Sequence, residues 1–340
     1  MNKRVLIAAL AASLGATGFT AGAMAAEEVN IYSYRKPILI EPMLNAFTEQ
    51  TGIKVNAVHA EKGLLERLKN EGRNTPADIV LTVDIGRLAD ITGAGLTQPV
   101  ESEVINEAIP PAFRDPQNEW FGLTARARII VVSKDRVADG EIKTYEDLAD
   151  PKFAGKICTR SGKHPYMVAL IGSMIVAHGE DGASEWLSGL KDNLARKPQG
   201  NDRAQVKAIS EGVCDVAIIN HYYLAKMLQD DEQKEWANSV RVIFPNQDDR
   251  GTHMNISGMV MTAHAPDPDN ALKLMEFLVS DTAQEMYAQL NSEYPLRKGV
   301  AWSDQLKSWG EFKTDDVSLA DIAKERSTAI KMVDSVGYDQ

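Results

Sequence analysis

The chain has 340 residues, a formal net charge of −11, two cysteines, and 44% hydrophobic residues. That length allows two domains, or one large one, with ample core. The acidic balance argues against nucleic acid and anionic membrane surfaces as partners, because both reward clusters of Lys and Arg.

In chain order, the first stretch is MNKRVLIAALAASLGATGFTAGAMAAEE. It places Lys3 and Arg4 ahead of a small-residue apolar run that ends in Ala23-Met24-Ala25. This is the pattern of a secretory signal peptide over residues 1–25. The run is too short and too rich in Ala and Gly for a comfortable transmembrane helix. Cutting after Ala25 leaves 315 residues at net charge −13, expected soluble, in the periplasm of a Gram-negative cell and not inserted in the membrane. No cysteine lies near the cut, so a lipid anchor is not expected.

VNIYSYR (29–35) then reads as a strand. PILIEPMLNAFTEQTG reads as a helix opened by Pro37 and closed at Gly52. IKVNAVHA is a second strand, KGLLERLKNEG a helix and ADIVLTVD a third strand. This βαβαβ order implies a parallel sheet covered on both faces. EWFGLTARARIIVVSKD (119–135) is a long β-rich run with no helix between its halves, able to carry the chain from one domain to another.

Beyond it come the strand KICTR, helices from Tyr166 to Leu194, the helix DRAQVKAISEG and the strand CDVAII. A second β-rich run covers 240–263, and helices are expected at roughly 268–290 and 317–334. Two lobes joined by crossing strands leave a cleft, and ligands of open α/β sheets sit beyond the carboxyl ends of the strands. Cys158 and Cys214 both fall in strand-like segments. In an oxidising compartment an even count reads as a bridge, with two buried thiols as the alternative.

No G-x-S-x-G elbow, phosphate loop, G-x-G-x-x-G or H-E-x-x-H motif is present, so no enzyme is indicated. The six histidines are scattered, which gives little support to a zinc site. Tyrosine is more informative. VCDVAIINHYYLAKM sets Tyr222 and Tyr223 side by side at a strand-to-helix junction. A phenol ionises near pH ~10 and ligates only an ion charged enough to expel its proton. Fe(III) is such an ion, whereas Ca(II) and Mg(II) prefer carboxylates and carbonyls.

Neighbours within a helix diverge by about 100°, but at a helix start two phenols can bend toward one ion. Tyr166, after KICTR and a Gly-containing loop, offers a third oxygen. For each of these tyrosines the alternative is an aromatic that covers the core or lies on the surface. Three phenolates cancel Fe(III) but leave its coordination incomplete. A carbonate can complete it if its charge is compensated in a poorly solvated cleft. Arg35, ending the first strand, and Arg126, in LTARAR, are placed for that, since arginine grips planar oxyanions with two N–H groups. Arg128 points to the same sheet face, and the residues alone do not choose between 126 and 128. Taken singly, each arginine can equally be a surface ion pair.

The segments VNIYSYRKP, PADIVLTVDIGRL, WFGLTARARI, GKICTRSGKHPY, NLARKPQGNDRAQVKAI, NHYYLAKM, FPNQDDRGTHMNISG and SEYP carry a resemblance. Over nearly its whole length after residue 25, the chain resembles the periplasmic ferric-ion-binding proteins, or bacterial transferrins, of iron(III) ABC importers. The resemblance implies a type II periplasmic-binding-protein fold: two α/β lobes joined by hinge strands, with the ligand cleft between them. On that fold the N-terminal lobe is expected at 26–128 plus about 253–303, and the C-terminal lobe at about 129–252 plus 304–340.

It further implies Tyr166, Tyr222 and Tyr223 as Fe(III) ligands, and Arg35 and Arg126 as holders of a synergistic carbonate or bicarbonate. Tyr34 is a further candidate for that anion site. Expected with this are a monomer and delivery to an ABC transporter permease in the inner membrane.

Where some members place His-Tyr after the first-strand Arg, this chain has Lys36 and Pro37, so the site is expected to rely on three tyrosines plus anion or water. His221 is expected to face solvent or support its neighbours rather than ligate. Two rivals remain: a binding protein for a small anion or other solute without metal, and a hydrolase or transferase on the same scaffold.

Overall fold

The computed structural model describes residues 27–340, so the signal-peptide expectation lies outside the described residues. Among the described residues nine strands form: β1 (Glu28–Ser33), β2 (Lys54–His59), β3 (Ile79–Thr82), β4 (Phe121–Ser133), β5 (Ile157–Cys158), β6 (Val216–Asn220), β7 (Val240–Ile243), β8 (Met254–Met261) and β9 (Tyr294–Pro295). The sheet order is β2-β1-β3-β8-β4-β6-β5, with β7 and β9 also pairing β4. β1 runs parallel to β2 and β3, and β5 parallel to β6, while β8 is antiparallel to both β3 and β4.

β4 is the strand shared by the two lobes of this type II fold. Its residues from Phe121 to Ala127 pair with β8, whereas Arg128 to Val132 pair with β6 and Ile130 to Ser133 with β7. All thirteen residues are buried: Ile129–Val132 reads as an unbroken apolar run because both faces are covered, while Arg126 and Arg128 are buried with ion-pair partners. One apolar cluster runs along β4 through both lobes, from Ile31, Phe47, Ile79 and Met259 to Val206, Ile219 and Leu224, and two others cover the opposite faces, around Val80, Leu88 and Val260 in the first lobe and around Ile130, Leu170, Trp186 and Ile218 in the second. The short helix Leu319–Lys324 packs against both Ile85–Gly93 and Pro165–Asp192, tying the lobes together on that side.

Close packing of the first lobe depends on glycine at Gly258 and Gly122. A Cβ on Gly258 of β8 would lie 2.6 Å from Leu88 and 2.7 Å from the Phe121 carbonyl oxygen, so helix Ile85–Gly93 seats directly on the strand backbone.

The helix expected from Pro37 starts later. Pro37–Leu39 makes a single 3-10 turn, and the α-helix is Glu41–Thr51, ended by Gly52 at φ 76°. Pro42 is the cause: it has no N–H to give Ile38, and its ring would clash with that carbonyl in a continuous helix. The strand in KICTR shrinks to Ile157–Cys158. The long helix is Pro165–Asp192, broken at Gly179, and 268–290 divides into Pro268–Leu278 and Asp281–Asn291. Cys158 and Cys214 are joined, with Cα atoms 5.9 Å apart.

Candidate functional site

The expected tyrosines come from two helix starts beside β5 and β6. Asn220 ends β6 in extended conformation (φ −81°, ψ 135°) and the helix His221–Met227 begins at once, so Tyr222 and Tyr223 leave from its first turn. Their rings lie 4.3 Å apart, tilted by 32°. Tyr166 sits in the first turn of Pro165–Asp192, whose start is capped by His164: Nδ1 accepts the Tyr166 N–H at 3.2 Å, and the two rings meet edge-on at 4.5 Å. The hydroxyls of Tyr166 and Tyr222 are 3.2 Å apart. All three phenols thus converge, and Tyr166 and Tyr222 are buried.

Burial and the neighbouring phenols push the Tyr222 hydroxyl well up from its ordinary range. Burial, then Tyr166 and Asp202, push Tyr223 up to about 12, against a hydrogen bond with Tyr222 and the charge of Arg160 that pull it down. An arginine stands against each ring: Arg160 at 5.2 Å from the Tyr166 centroid, Arg126 at 5.7 Å from Tyr222 and Arg203 at 5.1 Å from Tyr223. Tyr222 and Tyr223 are therefore protonated near neutral pH, with positive charge standing against all three rings.

Arg35 and Arg126 are both 2% exposed and meet at two shared partners. Each donates to the Ser257 hydroxyl from one terminal nitrogen. Arg35 also donates to the Glu293 carboxylate at 2.9 and 3.2 Å, and an Arg126 terminal nitrogen lies 3.6 Å from it. Arg126 gives its other terminal nitrogen to the Val83 carbonyl at 2.9 Å, and the Thr124 hydroxyl donates to Glu293 at 2.8 Å. Burial pushes the Glu293 carboxyl up, but Arg35 and Arg126 outweigh it and hold the group below the ordinary range. Two buried guanidinia and a hydroxyl suit a planar oxyanion. Glu293 already answers part of their charge.

Arg128 separates from Arg126 because β4 changes partners between them. Arg128 pairs with the fully buried Asp202 at 2.8 Å, which also takes Arg160 at 2.8 Å and the Asn220 N–H at 2.7 Å. Burial pushes Asp202 up, and the two arginines more than reverse the shift.

One expectation needs correction, and one of two alternatives is settled. The Tyr34 hydroxyl does not join the arginines: it accepts the Leu65 N–H at 2.9 Å at the start of helix Leu64–Glu71, under Arg87. Tyr34 and Arg35 follow the end of β1 in a bend, and their side chains go to different partners. His221 does not face solvent. It is fully buried, with Nδ1 accepting the Ala127 N–H at 3.1 Å and Nε2–H donating to the Ser292 carbonyl at 2.8 Å, so it supports the crossing strand. Lys36 and Pro37 are exposed. Glu293, Ser257 and Asp202 went unrecognised as site residues. The signals for them were the SEYP, MNISG and NDRAQ segments, already noted for their resemblance.

Comparison with known proteins agrees with this architecture. The family model of bacterial extracellular solute-binding proteins matches residues 42–314. Iron uptake protein A1 of Synechocystis is 42% identical over 92% of this chain and 88% of its own length. The crystal structure of Pasteurella haemolytica apo ferric ion-binding protein A superposes with a TM-score of 0.89 at 51% identity, covering 93% of this chain and 99% of that one. A Trichodesmium protein solved in complex with iron and citrate gives 0.87 at 42% identity, covering 92% and 99%. The chain belongs to the bacterial extracellular solute-binding proteins and, within them, stands with the ferric-ion-binding proteins of bacterial iron uptake.

Proposed function

We propose that the chain captures Fe(III) in the periplasm through the phenolates of Tyr166, Tyr222 and Tyr223, with a carbonate-type anion held by Arg35 and Arg126. It then delivers the ion to an ABC transporter permease. The observation that carries this reading is the convergence of three phenols, with two hydroxyls 3.2 Å apart and an arginine against every ring. Among the described residues no three His, Cys, Asp or Glu side chains gather as an alternative metal site. The iron-binding names of the relatives support the same ion.

The residues act by charge and proton exchange. Each phenol gives up its proton as the trication enters, so uptake releases protons and affinity falls with pH. The arginines supply fixed positive charge for the anion, held in place by Ser257, Glu293 and the Val83 carbonyl. On this reading the lobes are 26–128 with about 253–303, and about 129–252 with 304–340, which fits the change of strand partners at Ala127 and Arg128. Closure of the lobes is a population shift set by preferential affinity for the closed form, and the permease reads that form. Release follows protonation, or reduction to Fe(II), which binds phenolate weakly.

Ferric titration followed by visible absorption tests the reading. The expected result is a red or orange phenolate-to-iron charge-transfer band that the Tyr223→Phe variant loses while its circular dichroism stays unchanged. The buried arginine pair favours a second reading, a receptor for a small anion without metal. A chain that stays colourless when loaded with iron overturns the first reading in favour of the second.

A further inference from the structure

The phenols and the arginine pair stand on different backbone segments, and one buried imidazole joins those segments. His221 opens the helix that carries Tyr222 and Tyr223 and is fully buried. Its Nδ1 accepts the N–H of Ala127, the neighbour of Arg126, at 3.1 Å. Its Nε2–H donates at 2.8 Å to the carbonyl of Ser292, the neighbour of Glu293, whose carboxylate holds Arg35 at 2.9 Å. Both bonds use backbone groups that regular structure leaves open. Ala127 lies where β4 passes from β8 to β6, and its N–H goes to a side chain. Ser292 ends helix Asp281–Asn291 in the left-handed region (φ 54°), and its carbonyl lies past the last turn. An N–H facing Nδ1 puts the ring proton on Nε2, so one tautomer in one orientation serves both partners. The ring is also held by packing: Tyr294 lies 4.5 Å away, and Tyr222 and Trp309 meet it edge-on at 6.0 and 6.2 Å. Further along the same helix Lys226 donates to the Leu290 carbonyl, a second tie to the same helix end.

We propose that His221 is a positioning residue that couples the two halves of the site: it keeps the phenols of Tyr222 and Tyr223 in register with Arg35 and Arg126, so that an anion on the arginines reaches a metal on the phenolates. This rests on the phenolate reading of Tyr166, Tyr222 and Tyr223 and on the anion at the arginines. An anion that bridges two groups binds both well only at one separation. With the imidazole strut cut, the phenols and the arginines all remain, but the bridge between them is strained. The loss therefore falls on the factor by which anion and metal strengthen each other. Arg126 also faces the Tyr222 ring directly at 5.7 Å. That path remains in every His221 variant, so the loss is partial.

The test measures ferric affinity at neutral pH by partition of iron between the chain and acetohydroxamate, with and without added hydrogencarbonate. Protein-bound iron is counted after gel filtration, and the visible band is recorded alongside. The quantity read is the ratio of the two affinities, the factor by which hydrogencarbonate strengthens ferric binding. In His221→Leu that factor is expected to fall by about fivefold or more. His221→Leu leaves two buried backbone groups without a partner, so two variants that each keep one bond are measured beside it. His221→Asn offers an amide oxygen in place of Nδ1, for Ala127. His221→Gln offers an amide N–H in place of Nε2, for Ser292. Each is expected to give a factor between those of the wild-type chain and His221→Leu.

A residue that only stabilises the fold lowers both affinities alike and leaves their ratio at the wild-type value, and that result overturns the proposal. A wild-type chain whose ferric affinity ignores hydrogencarbonate overturns it as well. If His221→Leu does not fold, the Asn and Gln variants decide the matter: a wild-type ratio in both rejects the coupling role. A visible band with an unchanged ratio sinks this proposal alone. The absence of any band in the wild-type chain sinks the tyrosine reading together with it.

Discussion

Asp202 shows how a single carboxylate can organise a site without touching its ligand. It is fully buried, yet it answers Arg128, Arg160 and the backbone N–H of Asn220, the residue two before Tyr222. Its charge also reaches the phenols and helps to hold Tyr222 and Tyr223 up. The Asp202→Asn variant should therefore do two opposite things. Two buried guanidinia lose their counter-charge, which costs about 3–5 kcal/mol of stability, readable as a lower urea midpoint. In the fraction that remains folded, the phenols ionise more readily, so the pH at which half the charge-transfer band is lost should move down. A variant as stable as the wild-type chain, or one whose band fails at higher pH, contradicts this account.

At the scale of elements, what could be read from sequence depended on how local the cause was. The Gly52 helix end, the crossing strand and the strand-to-helix step at Tyr222 are written in neighbouring residues, and all formed. The delayed start at Glu41 was equally local, since Pro42 was visible in the sequence, but its effect on Pro37–Leu39 went unused. The role of Glu293 was not local: its ion-pair partner Arg35 lies 258 residues away, and Ser257 lies 222 residues from the same arginine. No period or cap announces such pairs. The separation of Arg126 from Arg128 likewise depends on β4 changing partners, which only the sheet reveals.

The disulfide between β5 and the residue two before β6 belongs to this scale. It closes a loop of 56 residues that contains both Tyr166 and the helix Asp202–Ser210. Loop-closure entropy makes that bridge worth about 4 kcal/mol. The Cys158→Ala/Cys214→Ala double variant should unfold at a correspondingly lower denaturant concentration. Reduction should bring the wild-type chain to the same midpoint and leave the double variant unaffected.

For the molecule as a whole, acid should act on the empty protein before any ligand is considered. His253 is buried where the loop from β7 joins β8, next to the crossing strand: its carbonyl accepts the Arg128 N–H, and its own N–H goes to the Tyr145 hydroxyl. Neither ring nitrogen has a partner among the described residues. Burial, then the charges of Arg250 and Arg128, push the imidazole down to about 3. Arg250 is itself paired with Glu146 and Asp315, so those carboxylates offer the ring little relief. The sign follows from linkage. The folded-state value is depressed below the unfolded ~6.5, so the unfolded chain binds the proton first. The stability this group contributes is complete above about pH 6.5 and drains away as pH falls toward the folded value, at up to about 1.4 kcal/mol per unit. Between pH 7.5 and 5, urea unfolding of the metal-free chain should lose about 2 kcal/mol more in the wild-type chain than in His253→Leu, which cannot titrate there. Equal losses in the two proteins would show that the ring finds a proton acceptor in the folded state. Unfolding in acid would then have to come from elsewhere in the chain.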